Sequence, residues 1–247
     1  MTVIIQISDM HIGSLFNEFA CEELVNEIND TRPDALIITG DVTDEGIITQ
    51  FESAKRYIDR MDCNNKIILP GNHDYRHTGY LLFKKFFPSN SIYEIGGAVI
   101  ISLGTARPDR DEGEVGHRQI LWMEQKLREY NEKKKIVAMH HHLIGIPDTG
   151  TDKIIILDAG DTLRSCIEGD VDLVLCGHKH RPWLWKLGSL EIAYAGTSCS
   201  YRFRGFFRNS YNIIKIGNKI EVDLKIVGGE KFPLSQLVQS HKPFIES

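Results

Sequence analysis

The stretch VIIQISDMH, residues 3–11, runs from a short apolar segment directly into two polar residues. Val3 to Ile7 is apolar at four of its five positions, which is typical of a β-strand buried on both faces. Asp9 and His11 follow so soon that the segment is too short for a signal peptide or a membrane span. The stretch therefore predicts a buried strand that ends in a polar loop.

Further apolar runs along the chain predict the rest of a layered fold. Between the early runs, apolar residues recur at helical spacing over residues 48–61 and 120–130, which predicts two amphipathic helices. The alternation of strands and helices indicates an α/β fold with helices packed on a sheet. The further predicted strands of this part are Ala35–Thr39, Lys66–Leu69, Ala98–Ser102, Lys135–Met139 and Val171–Cys176.

The C-terminal third has a different pattern, in which strands follow one another across short turns. The turns at 188–189 and 217–218 predict two antiparallel hairpins, which form either a second sheet or one edge of the first. No linker or repeat interrupts the chain, so we expect one domain over residues 1–229 and a polar, irregular tail over 230–247. The four predicted strands are Trp183–Leu187, Leu190–Ala195, Tyr211–Ile216 and Ile220–Val227.

The composition narrows the class of protein. A formal net charge of −5 over 247 residues argues against binding nucleic acid through a general basic surface. Five cysteines without a CxxC pair are typical of reduced thiols in a cytoplasmic protein. No later stretch is apolar enough to cross a membrane. The sequence therefore predicts a cytoplasmic chain with no membrane partner, for which nucleic acid is a disfavoured ligand.

Polar residues of a few types follow five of the predicted strands. In open α/β sheets the ligand site lies at the carboxyl ends of the strands. Each motif alone is an ordinary turn sequence, because Asp and Asn are common turn residues. Five in succession, holding seven of the ten histidines, predict that one site collects them. The motifs are SDMHIG with Asp9 and His11, GDVTDEG with Asp41 and Asp44, GNHD with Asn72, His73 and Asp74, the triplet His140, His141 and His142, and GHKH with His178 and His180.

The chemistry of these side chains indicates metal ions. Carboxylate and amide oxygens mixed with imidazoles, without a thiolate, suit Mn, Fe, Zn or Co better than a structural cysteine–zinc site. The ligands are too many for one ion. Two divalent ions that share a carboxylate, about 3.5–4 Å apart, form the arrangement used for in-line displacement at phosphorus.

In their order, these motifs resemble those of the calcineurin-like metallophosphoesterases. The segments GHRQILWMEQKL (116–127) and AGTSCSYRFRGFFRNSYNIIKI (195–216) are similar to segments of the branch that includes class III cyclic-nucleotide phosphodiesterases. The resemblance implies a four-layer α/β/β/α sandwich with two mixed sheets and a site for two metal ions at the sheet edge. The motifs that carry it are Asp9-x-His11, Gly40-Asp41, Gly71-Asn72-His73-Asp74, a histidine at a strand end, and Gly177-His178-x-His180.

The resemblance also implies a role for individual residues. His73 would donate a proton to the leaving oxygen, and Asp44 would hydrogen-bond His73 and favour its protonated form. The ligand of the histidine triplet would be His140, the first residue after the strand, with His141 and His142 behind it or lining the cleft. One ion would take Asp9, His11 and His180 and the other Asn72, His140 and His178, with Asp41 bridging the two.

The resemblance implies hydrolysis of a phosphoester by a hydroxide held between the two ions. Phosphoprotein phosphatases of this superfamily carry an arginine at the position of Glu45 and a glutamate at that of Asp74. A phosphomonoester dianion needs a bidentate guanidinium partner, so we expect small phosphodiesters, among them cyclic nucleotides, as substrates. The alternatives are a phosphomonoesterase, a DNA or RNA nuclease, and a non-catalytic metal-binding scaffold. For a phosphomonoesterase, the guanidinium would come from Arg107, Arg110, Arg202, Arg204 or Arg208.

Two further features concern the surroundings of the site. Loops 104–116 and 143–153 are long and rich in Gly and Asp, and we expect these strand-end loops to border the cleft. Three aromatic residues lie near the last motif. Two follow it closely, Trp183 and Trp185, and Tyr201 precedes the next predicted strand. Aromatic residues in strands are typical of a core or an interface, so we expect core packing or a homodimer contact instead of stacking on a base.

Overall fold

The computed structural model describes residues 1–147, 149 and 155–239, which form strands and helices in alternation. None of the helices in these ranges combines the length and the apolar character needed to span a membrane. The strands are β1 (Thr2–Ile7), β2 (Ala35–Thr39), β3 (Lys66–Leu69), β4 (Ile92–Ile95), β5 (Ala98–Ser102), β6 (Lys134–Ala138), β7 (Leu173–Cys176), β8 (Trp183–Leu187), β9 (Leu190–Tyr194), β10 (Ser210–Ile216), β11 (Ile220–Ile226) and β12 (Lys231–Pro233). The helices are α1 (Glu18–Thr31), α2 (Ile48–Arg60), α3 (Gly79–Phe86), α4 (His117–Glu129), α5 (Ala159–Glu168) and α6 (Leu234–Gln239), with a 3₁₀ helix at His73–Tyr75.

Two six-stranded sheets pack face to face between two layers of helices. The first sheet has the order β12-β11-β10-β1-β2-β3 and the second the order β4-β5-β6-β7-β9-β8. Both sheets are mixed, since β1, β2 and β3 are parallel and so are β5, β6, β7 and β9, while the outer strands are antiparallel. The predicted four-layer α/β/β/α sandwich with two mixed sheets is confirmed.

The central strands are buried on both faces, which explains their nearly continuous apolar runs. In β1, Ile4 packs in the core between the two sheets, whereas Ile5 packs against the helices of the first sheet. In β5, Ile100 faces the core between the sheets and Ile101 faces the helices of the second sheet. Alternate residues of one strand thus fill two different cores, as expected for strands covered on both sides.

The two C-terminal hairpins join different sheets. The β8–β9 hairpin extends the second sheet, where β9 runs parallel to β7 with Cys176 opposite Tyr194. The β10–β11 hairpin extends the first sheet, where β10 runs antiparallel to β1 with Thr2 opposite Ile216. We had considered that both hairpins form a second sheet or that both form one edge of the first, and neither arrangement is observed. The turns determine which strands pair within a hairpin but not which other strand the hairpin joins.

The segment after Gly229 is more regular than we expected. Residues 231–239 form β12 and α6, and β12 pairs with β11 at Leu224 and Phe232. Leu234 is fully buried in the core between the sheets, so these short elements close one end of that core. Elements of three and six residues are too short to show a periodic pattern. Residues 240–247 of the predicted tail lie outside the described residues, and the domain boundary at 229 stays a prediction.

Candidate metal centre

The predicted ligands come from loops of both sheets and meet where the two sheets adjoin. Asp9, Asp41 and Asn72 follow β1, β2 and β3 of the first sheet, whereas His140 and His178 follow β6 and β7 of the second. The Asn72 Oδ1 atom lies 3.1 Å from His140 Nε2, across the boundary between the sheets. Six of the seven predicted ligands are buried and His178 is partly buried. The structure brings all seven together: Asp9, His11, Asp41, Asn72, His140, His178 and His180, called here the ligand cluster.

Most of the ligand cluster is built on strained backbone. Asp9, His11, Asp41, His178 and His180 have φ angles of 53°, 45°, 52°, 77° and 53°. This left-handed conformation is uncommon outside glycine, and each such residue costs about 1–3 kcal/mol. Five instances within one cluster indicate that the fold holds these side chains in a required geometry at the expense of stability.

The first ligand group consists of Asp9, His11 and His180. The Nε2 atoms of His11 and His180 lie 2.9 Å apart, and Asp9 Oδ1 lies 3.4 Å from His180 Nε2. Burial lowers the pKa of His11 to about 4, so this imidazole is neutral near pH 7. The ligand atoms of the three side chains lie within 4.8 Å of one another, close enough to share one ion.

The second ligand group consists of Asn72, His140 and His178. Asn72 Oδ1 lies 3.0 Å from His178 Nδ1, which is itself 3.2 Å from His140 Nε2. The amide nitrogen of Asn72 donates to Asp111 at 3.1 Å, and this bond turns the amide oxygen toward the two imidazoles. The group therefore presents one oxygen and two nitrogens to a common point.

The Asp41 carboxylate lies between the two groups. Its Oδ2 atom is 3.6 Å from His11 Nε2 and 3.4 Å from His140 Nε2. Burial by itself would raise the pKa of Asp41, but the charges of His140 and His73 outweigh it and hold that pKa well below its usual value. Conversely, burial would lower the pKa of His140, yet Asp41 raises it to about 9. A buried carboxylate of this kind attracts positive charge to both sides.

When its histidines are neutral, as metal ligands must be, several lone pairs in the cluster face one another without a proton between them. His140 Nδ1 donates to the Thr39 carbonyl at 2.6 Å, so its Nε2 carries a lone pair toward Asn72, His178 and Asp41. His180 Nδ1 likewise donates to the Arg202 carbonyl, which leaves its Nε2 as an acceptor. Converging buried acceptors are costly unless a cation lies between them. The residues therefore fit metal ions on the chemistry of the donor set.

Gly71 and Asp74 hold two of the ligand loops together. A Cβ atom on Gly71 would lie 2.0 Å from Asp41 Oδ1, so only glycine allows this approach. The Asp74 carboxylate accepts from the Gly71 amide at 2.9 Å and from the amide and hydroxyl of Thr43, both at 2.8 Å. Burial raises the pKa of Asp74 to about 7. Asp74 thus ties the GNHD loop to the GDVTDEG loop and is not one of the converging ligand atoms.

His141 and His142 both bind protein atoms, and a nitrogen of His141 also lies within 4.8 Å of nitrogens of His140 and His178. His141 lies 2.8 Å from Thr105 Oγ1 and 3.1 Å from the Asp111 carbonyl, although its ring also lies near His140 and His178. His142 Nε2 donates to the Gly177 carbonyl at 2.7 Å. Burial lowers the pKa of both imidazoles to about 3. His141 thus ties the histidine triplet to loop 104–116, and His142 ties it to the GHKH loop. Their contribution to function stays a prediction.

His73 is positioned differently from our expectation. Its Nδ1 atom lies 2.6 Å from the main-chain carbonyl of Asp44 but 3.5 Å from the Asp44 carboxylate. Because a carbonyl can only accept, Nδ1 is the donor and Nε2 faces the cavity. The expected side-chain hydrogen bond between Asp44 and His73 was therefore wrong, since sequence spacing does not tell a main-chain acceptor from a side-chain one.

The Asp44 carboxylate has other neighbours. It lies 3.5 Å from His11 Nδ1 and 3.3 Å from Arg202 Nη2. The pKa of Asp44 is lowered, chiefly by His11, against the opposing effect of burial. Asp44 therefore connects a predicted metal ligand to an arginine at the cavity.

Arg76 is a functional candidate that the sequence argument missed. Its guanidinium lies 3.3 Å from His73 Nε2, 3.2 Å from the Asp44 carbonyl and 3.2 Å from Glu45 Oε1. The 3₁₀ turn at residues 73–75 returns Arg76 to the face of His73 three residues earlier. The sequence feature that could have identified it is an arginine three residues after the histidine of GNHD. Arg76 thus places a guanidinium beside Glu45, although position 45 itself has none.

A cavity of about 670 Å³ opens over the ligand cluster. Of the five arginines considered above, Arg107 pairs with Glu114 and Arg208 with Glu230, and neither lines this cavity. Loop 104–116 borders the cavity at residues 109–112, as expected. No described residue of loop 143–153 lines it, and residues 148 and 150–154 lie outside the described residues. Five cations line the cavity and are called here the cationic rim: Arg76, Arg110, Lys179, Arg202 and Arg204.

The aromatic residues near the last motif divide between core and surface. Trp183 is buried and Trp185 packs on the same core, as predicted. Tyr201 lies outside the strands and is 57% exposed. A homodimer contact stays a prediction.

The chain belongs to the calcineurin-like phosphoesterase family, whose model matches residues 2–182. The matched range includes all seven residues of the ligand cluster together with His73 and Asp44.

Individual proteins share the family's fold or part of its sequence with this chain. A Rhodococcus erythropolis protein named "Probable cyclic nucleotide phosphodiesterase" is 26% identical over 215 residues, which cover 79% of this chain and 70% of that protein. An Arcobacter nitrofigilis protein named "Probable glycerophosphodiester phosphodiesterase GpdQ" is 28% identical over 198 residues, covering 72% of each. The structure of a purple acid phosphatase from yellow lupin matches the fold with a TM-score of 0.71 at 13% identity; the match covers 94% of this chain and 52% of the lupin chain.

Proposed function

We propose that this chain is a phosphodiesterase that uses two divalent metal ions, drawn from Mn, Fe, Zn and Co, to hydrolyse small phosphodiesters. The observation that carries the proposal is the pair of ligand groups on either side of Asp41, whose Oδ2 atom reaches a histidine of each group at 3.6 and 3.4 Å. Asp9, His11 and His180 would hold one ion, and Asn72, His140 and His178 the other. When bound, such ions neutralise the charge of phosphoryl oxygens and lower the pKa of a bound water to about 7.

In this proposal the imidazolium form of His73 gives its Nε2 proton to the leaving oxygen and keeps the proton on Nδ1. The Asp44 carbonyl holds Nδ1 as a donor, which directs Nε2 into the cavity beside the ligand cluster. Hydrolysis forms a bond from a water oxygen to phosphorus and breaks the bond to the ester oxygen, which then needs a proton. Arg76 and Arg202 lie 3.3 and 3.2 Å from the same Nε2 atom, where they would bind the phosphoryl oxygens as charge develops.

The substrate class follows from the relatives and not from position 45. Relatives named for cyclic nucleotides and for glycerophosphodiesters both support a small phosphodiester. The argument that Glu45 excludes phosphomonoesters loses its force, because Arg76 places a guanidinium beside Glu45. A phosphomonoesterase is therefore the second candidate, supported by the two guanidinium groups next to His73.

Hydrolysis of two nitrophenyl esters tests the proposal. The protein is stripped of metal, supplied with Mn²⁺, and assayed on bis(p-nitrophenyl) phosphate and p-nitrophenyl phosphate. We expect preference for the diester and loss of turnover without metal. Preference for the monoester would favour the second candidate, and binding of metal without turnover of either ester would favour a non-catalytic scaffold.

The setting of the reaction belongs to the proposal as well. We propose a cytoplasmic location, because all five cysteines are unpaired thiols of the kind kept reduced there. A nuclease activity is less favoured, because the formal net charge of −5 argues against a general basic surface for nucleic acid.

A further inference from the structure

The charges around the cavity are unevenly distributed. Apart from Asp41, its acidic lining residues all come from residues 109–112 of loop 104–116. This loop adjoins the second ligand group, since Asp111 accepts from Asn72 and from His141. On the side of His180, the lining residues Lys179, Arg202 and Arg204 are all cations.

Two cations on the His180 side of the cavity lack a carboxylate partner among the described residues. In the rim, Arg76 pairs with Glu45 at 3.2 Å and Arg202 with Asp44 at 3.3 Å. Lys179 and Arg204 have no carboxylate within ion-pair distance in the part of the chain that the structure describes. Both line the same cavity, and the hydrogen bond from His180 Nδ1 to the Arg202 carbonyl brings their two loops together. Two neighbouring like charges repel, and an anion between them relieves the repulsion.

The loop that carries Arg204 is fixed at points on both sides of it. On one side, the Arg202 carbonyl accepts from His180 Nδ1, and the Arg202 amide donates to Ser200 Oγ at 3.1 Å. On the other side, Gly205 lies against Arg181, so that a Cβ atom there would be 2.7 Å from the Arg181 guanidinium. Gly205 also has a φ of 68°, which other residues rarely adopt. The main chain on both sides of Arg204 is thus fixed beside the cavity, and its exposed side chain adapts to a ligand.

We propose that Lys179 and Arg204 bind a second phosphate group of the substrate, so that the preferred substrate is a phosphodiester that also carries a terminal phosphate monoester. The inference rests on the proposed function, since the scissile phosphate would lie on the ligand cluster. A phosphate monoester carries close to two negative charges and three acceptor oxygens, which match two adjacent cations. A neutral substituent would leave both cations without a partner.

A pair of dinucleotides that differ by one phosphate tests the inference. The Mn²⁺-loaded full chain is assayed on TpT and on pTpT, which adds a 5′-phosphate monoester, and the mononucleotide products of diester cleavage are measured by chromatography. We expect kcat/KM to be about tenfold or more higher for pTpT, which is the order expected for one or two charge-assisted hydrogen bonds. Raising the ionic strength should shrink the ratio, because the pair is partly exposed.

Charge-removing variants locate the subsite. The ratio of pTpT to TpT should fall to about one in Arg204→Ala and in Lys179→Gln, and Arg204→Lys should keep most of it. Arg110→Ala is the matched control, because it removes an equal charge from the same cavity on loop 104–116. Metal content is measured for Lys179→Gln, since its neighbours are predicted ligands. Using a ratio within each variant cancels any general loss of activity.

The outcomes separate this inference from the proposed function. Bis(p-nitrophenyl) phosphate is assayed alongside the dinucleotides. Hydrolysis of this diester with a wild-type ratio of about one, or with an unchanged ratio in Arg204→Ala, would overturn the subsite alone. An equal fall of the ratio in Arg110→Ala would place the second anion elsewhere and also overturn it. No hydrolysis of any diester by the metal-loaded chain would overturn the proposed function and the subsite together.

Discussion

The ligand cluster and the cationic rim lie in one cavity but are built in opposite ways. Six members of the ligand cluster are buried, and five of the seven have left-handed backbone. In the rim, the side chains of Arg76 and Arg202 are 29% and 26% exposed, and Arg204 is more exposed still. Buried, strained residues tolerate little change, whereas long exposed side chains adapt to their ligand. Chemistry common to a family is expected in the first region and substrate preference in the second.

Among the variants that test this difference, Asp41→Asn should have the largest effect. Its carboxylate oxygen reaches both ligand groups, so the amide would weaken metal binding on both sides. We expect a loss of phosphodiester hydrolysis of about 10³-fold or more, the value of several kcal/mol of charge stabilisation. Metal analysis of the purified variant should show less than one tightly bound ion per chain.

Asp59→Asn is the matched control for that variant. Asp59 pairs with Lys55 on the surface, and its side chain is 57% exposed. The same chemical change there should alter neither metal content nor turnover. Full metal occupancy in Asp41→Asn would contradict the bridging position.

The histidine triplet provides the next test, because it places a predicted ligand two residues from a connecting residue. His140→Ala should lose one of two ions and about 10²-fold or more in turnover, since it removes a nitrogen that faces the second position. His142→Ala should keep both ions, because its Nε2 atom is occupied by the Gly177 carbonyl. Metal analysis of the two variants side by side tests this prediction. Loss of an ion in His142→Ala but not in His140→Ala would assign the ligand role to His142.

His73 lies between the ligand cluster and the cationic rim, and its variant tests whether this residue takes part in the chemistry. His73→Ala should slow hydrolysis of TpT, which has a poor leaving group, by about 10²-fold or more. Release of nitrophenol from thymidine 5′-(p-nitrophenyl phosphate) should fall by less than about tenfold, because nitrophenolate leaves without a proton. His77→Ala is the control, as His77 is exposed and does not line this cavity. Equal losses on both substrates would show that His73 is not the proton donor.

The same contrast explains how much of the site could be predicted from sequence. Each ligand stands within a few residues of an apolar run, so its place at a strand end follows from local pattern and sheet geometry. Asp9 and His178 show this, because both lie where strand ends of different sheets meet. The fold class followed from the same runs together with the family resemblance.

The rest depended on contacts that no local pattern encodes. Arg76 reaches His73 only because a single 3₁₀ turn brings it back, and Arg202 reaches the same ring from 129 residues away. The destination of the two C-terminal hairpins was undecided for the same reason, since pairing with β1 or β7 is a long-range event. Short elements such as β12 carry too few residues to show a period.

The smallest effect is expected from Asp44→Asn, where sequence and structure disagree about mechanism. If the carboxylate held His73, the variant would lose activity nearly as His73→Ala does. The structure assigns that hydrogen bond to the Asp44 carbonyl, which asparagine keeps, and leaves the carboxylate 3.5 Å from His11 and 3.3 Å from Arg202. We therefore expect about a tenfold loss that is equal for good and poor leaving groups, together with weaker binding of one ion. A loss confined to poor leaving groups, with metal affinity unchanged, would mean that the carboxylate and not the carbonyl controls the proton on His73.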